Sequence, residues 1–201
     1  MDSIEFFKKH KYVHLPQLLN SDVTSLIYNY LILKSCTNVD FSDPLETNDD
    51  NYLRYCYADL NTETLLSLLL EKVSTTVQKK LCPTYSYVRV YTKGDELKPH
   101  HDRPSCQYSV TINFGGSPWP ISFGEFNNQD KNLDDGYNLL NTVTLKPGEG
   151  VVYMGEELVH WRNRLEGDHC AQAFLHYIDQ DGPYYPEWAY DKRSNIGYKK
   201  S

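Results

Sequence analysis

Beyond Pro83 the chain becomes a succession of short apolar and β-branched runs: Tyr85–Tyr91, Leu97–His101, Gln107–Phe114, Ile121–Phe123, Thr142–Leu145, Val151–Met154 and Cys170–Ile178. Gly, Pro, Asn and Asp punctuate them. Runs of this length between turn residues read as strands, and many short strands in a row close into a sandwich or barrel. Upstream the periodicity is helical. Ser21-Asp-Val-Thr opens a helix because Ser21 or Asn20 can accept a bond from a free first-turn amide, and Val23, Leu26, Ile27, Tyr30 and Leu31 share one face. A second helix runs from Asn61 or Thr62 to about Leu81, with Leu66, Leu69, Leu70, Val73, Val77 and Leu81 at helical spacing, and Pro83 ends it. Lys11–Pro16 reads as an opening strand and Thr37–Leu60 as an irregular loop near the functional site. Gly115–Pro118 and Asn127–Tyr137 read as surface loops, and Lys146–Gly150 as a tight turn. The expectation is a mainly β fold with flanking α-helices in one domain: helical support over 1–83, a strand-rich core over about 84–180 and a tail over 181–201.

With 40% hydrophobic residues in 201, the chain can bury one substantial core. It has no run of about 18 apolar residues, and Met1-Asp-Ser-Ile-Glu lacks the basic start and apolar stretch of a secretory signal. The five cysteines (Cys36, Cys56, Cys82, Cys106, Cys170) are odd in number and never spaced as Cys-x-x-Cys, against both a disulfide framework and a zinc ribbon. These features point to a soluble protein of the reducing cytoplasm. A net charge of −7 works against a phosphate-tracking surface, so nucleic acid is an unfavoured partner, and the thin basic tail Lys192-Arg193 with Lys199-Lys200 does not reverse that. Oligomeric state is not legible.

The chemistry resides in Pro99-His100-His101-Asp102 and in the later Val159-His160-Trp161-Arg162. In extended chain, residues i and i+2 project from the same face, so His100 and Asp102 can hold one ion together, with His160 as the third ligand from a distant strand. His101 should point to the opposite face. Two imidazoles and a carboxylate on one side of an octahedral ion leave positions open, the ligand set of non-haem Fe(II) oxygenases. A zinc hydrolase could use the same set, but no His-Glu-x-x-His is present.

The surrounding pattern, Tyr91-x-x-Gly94-x-x-x-x-Pro99-His100-x-Asp102 and then Pro147-Gly-Glu-Gly-Val-Val-Tyr-Met-Gly leading to His160, resembles the 2-oxoglutarate and Fe(II)-dependent oxygenases, especially their prolyl-4-hydroxylase-like branch. The resemblance spans roughly residues 85–178. It implies a double-stranded β-helix (jelly roll, cupin-like), with His100, Asp102 and His160 as iron ligands and 2-oxoglutarate and O₂ as cosubstrates. It also implies hydroxylation of a C–H bond in a peptide side chain, prolyl included, or in a small amino-acid-like metabolite, releasing succinate and CO₂. An intact Asp102 argues against halogenation, which in the family requires a small residue there. The competing class is a metal-containing jelly-roll binding module without turnover.

The chain departs from the family at the cosubstrate anchor. The family supplies Lys or Arg a short way after the distal histidine, where this chain has His169 and Cys170. His169 could serve, Arg162 could supply a fixed charge if it turns inward, and Gln172 is a neutral candidate. Tyr91, at the family's tyrosine position, and Asn113 are candidate donors to 2-oxoglutarate. Arg103 is a candidate for pairing an anionic substrate or for a structural ion pair. Tyr52, Tyr55, Tyr57 and the segment Pro183–Trp188 are candidates for a lid or for packing, whereas His10, His14 and His176 read as local packing or surface residues.

Overall fold

The computed structural model describes residues 2–36, 55–126 and 136–198. Most of the Thr37–Leu60 loop, Tyr52 within it, most of Asn127–Tyr137 and Lys199-Lys200 lie outside these residues. Helix α1 spans Ser3–His10, a short element that the periodicity did not single out. The Asp2 side chain accepts from the Glu5 amide at 2.9 Å to start it, and Lys11 in the left-handed region ends it. Strand β1 (Tyr12–Leu15) follows, then α2 (Ser21–Cys36). Of the two expected caps it is Asn20 that accepts from the Val23 amide, at 2.9 Å. The buried stripe of α2 is Thr24, Ile27 and Leu31, and Leu26 points outward.

Strand β2 (Tyr55–Tyr57) leads into α3 (Leu60–Val77), which buries Leu66, Leu69, Val73 and Val77 as their spacing predicts. Pro83 does not end this helix. Left-handed Gln78 does, and Pro83 lies inside β3 (Leu81–Thr92), beside a register shift opposite Leu175 and Tyr177, where a strand tolerates the missing N–H. The remaining strands are β4 (Leu97–His100), β5 (Tyr108–Gly116), β6 (Ile121–Phe126), β7 (Tyr137–Val143), β8 (Gly150–Tyr153), β9 (Val159–Arg162) and β10 (His169–Asp179). The expected Thr142–Leu145 strand thus starts earlier, and most of β7 is exposed.

All pairings are antiparallel, in a six-stranded sheet ordered β1-β8-β5-β10-β3-β2 and a four-stranded sheet ordered β4-β9-β6-β7. The first 83 residues are therefore more than helical support, since β1 and β2 form the two edges of the larger sheet. Phe7 of α1, Ile27 and Leu31 of α2, and Leu66, Leu69 and Val73 of α3 bury one face of that sheet against Val88, Val110, Ile112, Val152, Ala173 and Leu175. Alternation then sends the neighbours of these strand residues to the opposite face. Val151 and Tyr153 of β8 join Ile121 and Phe123 of β6 in a second cluster between the sheets. On β10, Cys170 and Phe174 pack with Tyr91 and Trp119, while Ala171, Ala173 and Leu175 meet the helices. Among the described residues no helix is long and apolar enough to cross a membrane.

Candidate metal centre

Strands β4 and β9 pair so that His100 lies directly opposite His160, with ring centroids 4.3 Å apart. Each ring is aimed by its own backbone. A carbonyl can only accept, so Nδ1–H of His100 donates to Lys98 O at 2.8 Å and Nδ1–H of His160 donates to Leu158 O at 3.0 Å. Both Nε2 atoms are left as lone-pair donors, the usual way a ligand histidine is fixed in tautomer and orientation. Asp102 Oδ1 is 3.6 Å from Nε2 of His100 and 3.5 Å from Nε2 of His160, and all three ligand atoms lie within 4.8 Å of one another. Such spacing suits three ligands around one ion bonded at about 2.0–2.2 Å.

Asp102 reaches this point without staying on the strand. β4 ends at His100, and the Asp102 amide donates to Gly155 O at 2.8 Å, which docks the turn against the segment preceding β9. Gly155 must be glycine for this approach: a Cβ there would lie 2.3 Å from Asp102 Oδ2 and 2.5 Å from Cys106 O. His101 turns away and packs edge-on against Phe126 at 4.8 Å. Burial alone would raise the Asp102 carboxyl, but the imidazoles of His100 and His160 outweigh it and hold the group well below the usual carboxylate range. Burial likewise opposes a charged His100, and Asp102 overcomes that to raise its pKa.

The three residues line a cavity that opens to solvent and is walled by Tyr85, Tyr87, Tyr91, Leu97, Tyr153, Phe174 and His176. Two of these wall residues are backed by further tyrosines: Tyr57 stacks on Tyr85 at 5.0 Å and Tyr55 on Tyr87 at 6.1 Å. Arg103 also lies over Tyr85, at 4.7 Å, but its charge is met by Asp191 at 3.0 Å. The Pro183–Trp188 segment is not among the lining residues. Its Tyr184 donates to Glu156, and Trp188 lies beneath Lys192.

Arg162 projects from the same face of β9 as His160 and is 1% exposed. Its guanidinium donates to Trp119 O, to Gln172 Oε1 at 2.8 Å and to Thr111 Oγ1 at 3.4 Å, while its buried Nε has no partner. Among the described residues no carboxylate pairs with it, and burial presses its pKa down. A buried cation without a counter-ion is costly. The place therefore suits an anion.

The other anchor candidates are differently placed. His169 is an odd-numbered residue of β10 and faces the helices, where Tyr28 of α2 bonds its Nε2 at 2.7 Å. Gln172 does face the interior, with its Oε1 on Arg162 and Thr111 and its Nε2 donating to Cys170 Sγ at 3.1 Å. Tyr91 is buried in the wall between Trp119, at 4.6 Å, and Arg89, at 4.7 Å, and burial pushes its hydroxyl up to about 12. Asn113 spends both ends of its amide on the fold, donating to Leu145 O at 2.7 Å and accepting from the Gly115 amide at 3.0 Å.

His10 and His14 sit in local contacts with Phe6 and Glu149, and His176 packs against Tyr85 at 4.5 Å, buried in the cavity wall rather than at the surface. Ser109, Gly155 and Tyr153 also surround the ligands; Tyr153 and Gly155 close the Pro147–Gly155 run that leads to His160, whereas no sequence motif marks Ser109.

No protein-family model matches the sequence, and no curated relative matches it. Solved structures do match in fold. AviO1 from Streptomyces viridochromogenes Tue57 superposes with a TM-score of 0.68 at 16% identity, covering 90% of this chain and 95% of that one. The epimerase SnoN, in complex with Fe3+, alpha ketoglutarate and nogalamycin RO, gives 0.62 at 13% identity, covering 86% and 80%. A Pseudomonas putida prolyl-4-hydroxylase gives 0.58 at 11% identity, covering 88% and 97%. The chain thus shares a fold with an epimerase and a hydroxylase alike, and the likeness singles out no prolyl-4-hydroxylase branch.

Proposed function

We propose that this chain is a 2-oxoglutarate- and Fe(II)-dependent oxygenase built on a single jelly-roll domain. The observation that carries the reading is the inward face of β9, where His160 joins the convergent candidate ligands and Arg162, two residues on, is a buried cation with no carboxylate partner among the described residues. His100, Asp102 and His160 would hold the iron. Arg162 would take the far carboxylate of 2-oxoglutarate, steadied by Gln172 and Thr111, with Tyr91 in the adjoining wall. Bound iron supplies the chemistry the protein lacks: coupling oxidative decarboxylation of 2-oxoglutarate by O₂, with release of succinate and CO₂, to oxidation of a substrate C–H bond.

The chain's own part is to keep both imidazoles in one tautomer, fix the carboxylate, and hold substrate over the base of an aromatic cavity. Asp102 would complete the ligand set, which favours hydroxylation over halogenation. The cations packed on the wall tyrosines are already matched, Arg103 by Asp191 and Arg89 by Asp95 at 3.6 Å, so the substrate we favour is a largely uncharged small molecule or peptide side chain. SnoN supports the small-molecule choice, since that neighbour binds nogalamycin RO. The scattered cysteines suit a cytoplasmic setting.

Anaerobic addition of Fe(II) and then 2-oxoglutarate should give a weak visible charge-transfer band, and admission of air should yield succinate. The band without succinate under any substrate would favour the non-catalytic binding module. No band would remove the oxygenase reading.

A further inference from the structure

We infer that His176 and Ser109 act as positioning residues, forming a relay that dictates which oxygen of Asp102 the metal receives. The inference rests on the metal site proposed above. Ser109 Oγ lies 2.9 Å from Asp102 Oδ2 and 2.9 Å from His176 Nδ1, and Ser109 and His176 are both buried. The direction of the chain follows from proton bookkeeping. An ionised carboxylate can only accept, so the single hydroxyl proton of Ser109 goes to Oδ2. Two further partners compete: Cys106 O at 3.2 Å is longer and uncharged, and the Tyr153 hydroxyl, also bonded to Ser109, can donate its own proton to the serine oxygen. Ser109 is then an acceptor toward His176, which must carry its proton on Nδ1.

With Oδ2 bonded to Ser109, only Oδ1 faces the two imidazole Nε2 atoms. Gly155 packs beside the same Oδ2, where a Cβ would stand 2.3 Å away. Asp102 is thereby held to one-oxygen ligation. A carboxylate released from this hold can swing and chelate through both oxygens, which would occupy a coordination position that the keto acid and dioxygen need. His176 is itself braced, its ring against Tyr85 at 4.5 Å.

A rival role exists for the same histidine, because donor atoms of Asp102, Cys106 and His176 also fall within 4.8 Å of one another. Co(II) titration of the full chain separates the two, using affinity, stoichiometry and the d–d spectrum, whose intensity reports coordination number. The relay requires one Co(II) per wild-type chain. Ser109→Ala and His176→Phe should each weaken Co(II) binding about 10–100-fold and alter the d–d bands. His176→Asn, which keeps an N–H near the place of Nδ1, should restore most of both. If His176→Phe does not fold, Ser109→Ala and His176→Asn, which remove few atoms, carry the comparison.

Wild-type affinity and spectrum in Ser109→Ala would overturn the relay. So would His176→Asn as impaired as His176→Phe, or a second Co(II) per wild-type chain that His176 variants lose. Loss of binding in His160→Ala alongside an unaffected Ser109→Ala would leave the metal site standing and the relay refuted, whereas a wild-type chain that takes no Co(II) would refute both.

Discussion

In the proposed site Arg162 would be at once a cost to the fold and the anchor of the cosubstrate. Its guanidinium is surrounded by neutral acceptors, and its Nε is unmet. Replacing even a buried ion pair by apolar side chains of similar size is often neutral or stabilising by about 1–4 kcal/mol, and a lone buried cation has no counter-charge to offset its desolvation. Arg162→Met should therefore raise the denaturation midpoint of the ligand-free protein while weakening 2-oxoglutarate at least 100-fold, read by urea titration and by the charge-transfer band. A variant that is less stable and still binds 2-oxoglutarate would mean that Arg162 serves the fold. Gly155→Ala makes the converse prediction. The added methyl collides with the carboxylate of Asp102 and the carbonyl of Cys106, so metal affinity should fall more than tenfold in calorimetric titration even where the fold survives. Sequence placed both Arg162 and His169 among the anchors but could not choose, because β10 is buried on both faces and shows no polar alternation from which to read its inward side. The same blindness hid His176.

At the level of elements, α3 is joined to the C-terminal segment by a buried ion pair. Arg193 bonds Glu63 at 2.8 and 3.0 Å and Thr84 O at 2.9 Å, and Glu63 accepts further from the amides of Ser86 and Gly197. Their side chains are 0% and 2% exposed. Arg193→Met strands an ionised carboxylate, so unfolding free energy should drop by about 3–5 kcal/mol at unchanged m-value, with much of it recovered in the Glu63→Leu, Arg193→Met double variant. Recovery no better than the single variant would show that the amide contacts to Glu63, rather than the charge pair, hold the segment. The apolar stripe of α3 was legible because 3.6-residue spacing repeats over its whole length. Glu63 was not, since what buries it arrives from residues 193–197. The strands were legible in place but not in extent: Pro83 reads as a stop, yet it is housed at a register shift, and β7 carries too few buried side chains to mark its start. Helix α1 is too short for periodicity to separate from its flanks, and Phe7 is its one buried residue.

For the molecule as a whole, the helices cover one face of the six-stranded sheet and leave the other face to the cavity and the candidate metal ligands. His100 and Asp102 come from the end of β4, His160 from β9, and the surrounding groups from β5, β10 and the turn before β9. These ligands converge only in the folded chain, so whatever binds them must stabilise the fold by RT ln(1 + [L]/Kd). At a metal concentration 100 times Kd that amounts to about 2.7 kcal/mol, or roughly 5–10 °C in melting temperature for a chain of this size. Anaerobic Mn(II), which does not turn over, should produce such a rise, and a chelator should reverse it. 2-Oxoglutarate should add a second increment only after the metal, because in the proposed site one end of it would bind the ion and the other would neutralise Arg162. In Arg162→Met the metal increment should persist and the keto-acid increment should vanish. In His160→Ala both should go. An undiminished response to 2-oxoglutarate in Arg162→Met would detach the buried guanidinium from the cosubstrate, and a response that precedes the metal would place the keto acid elsewhere on the chain.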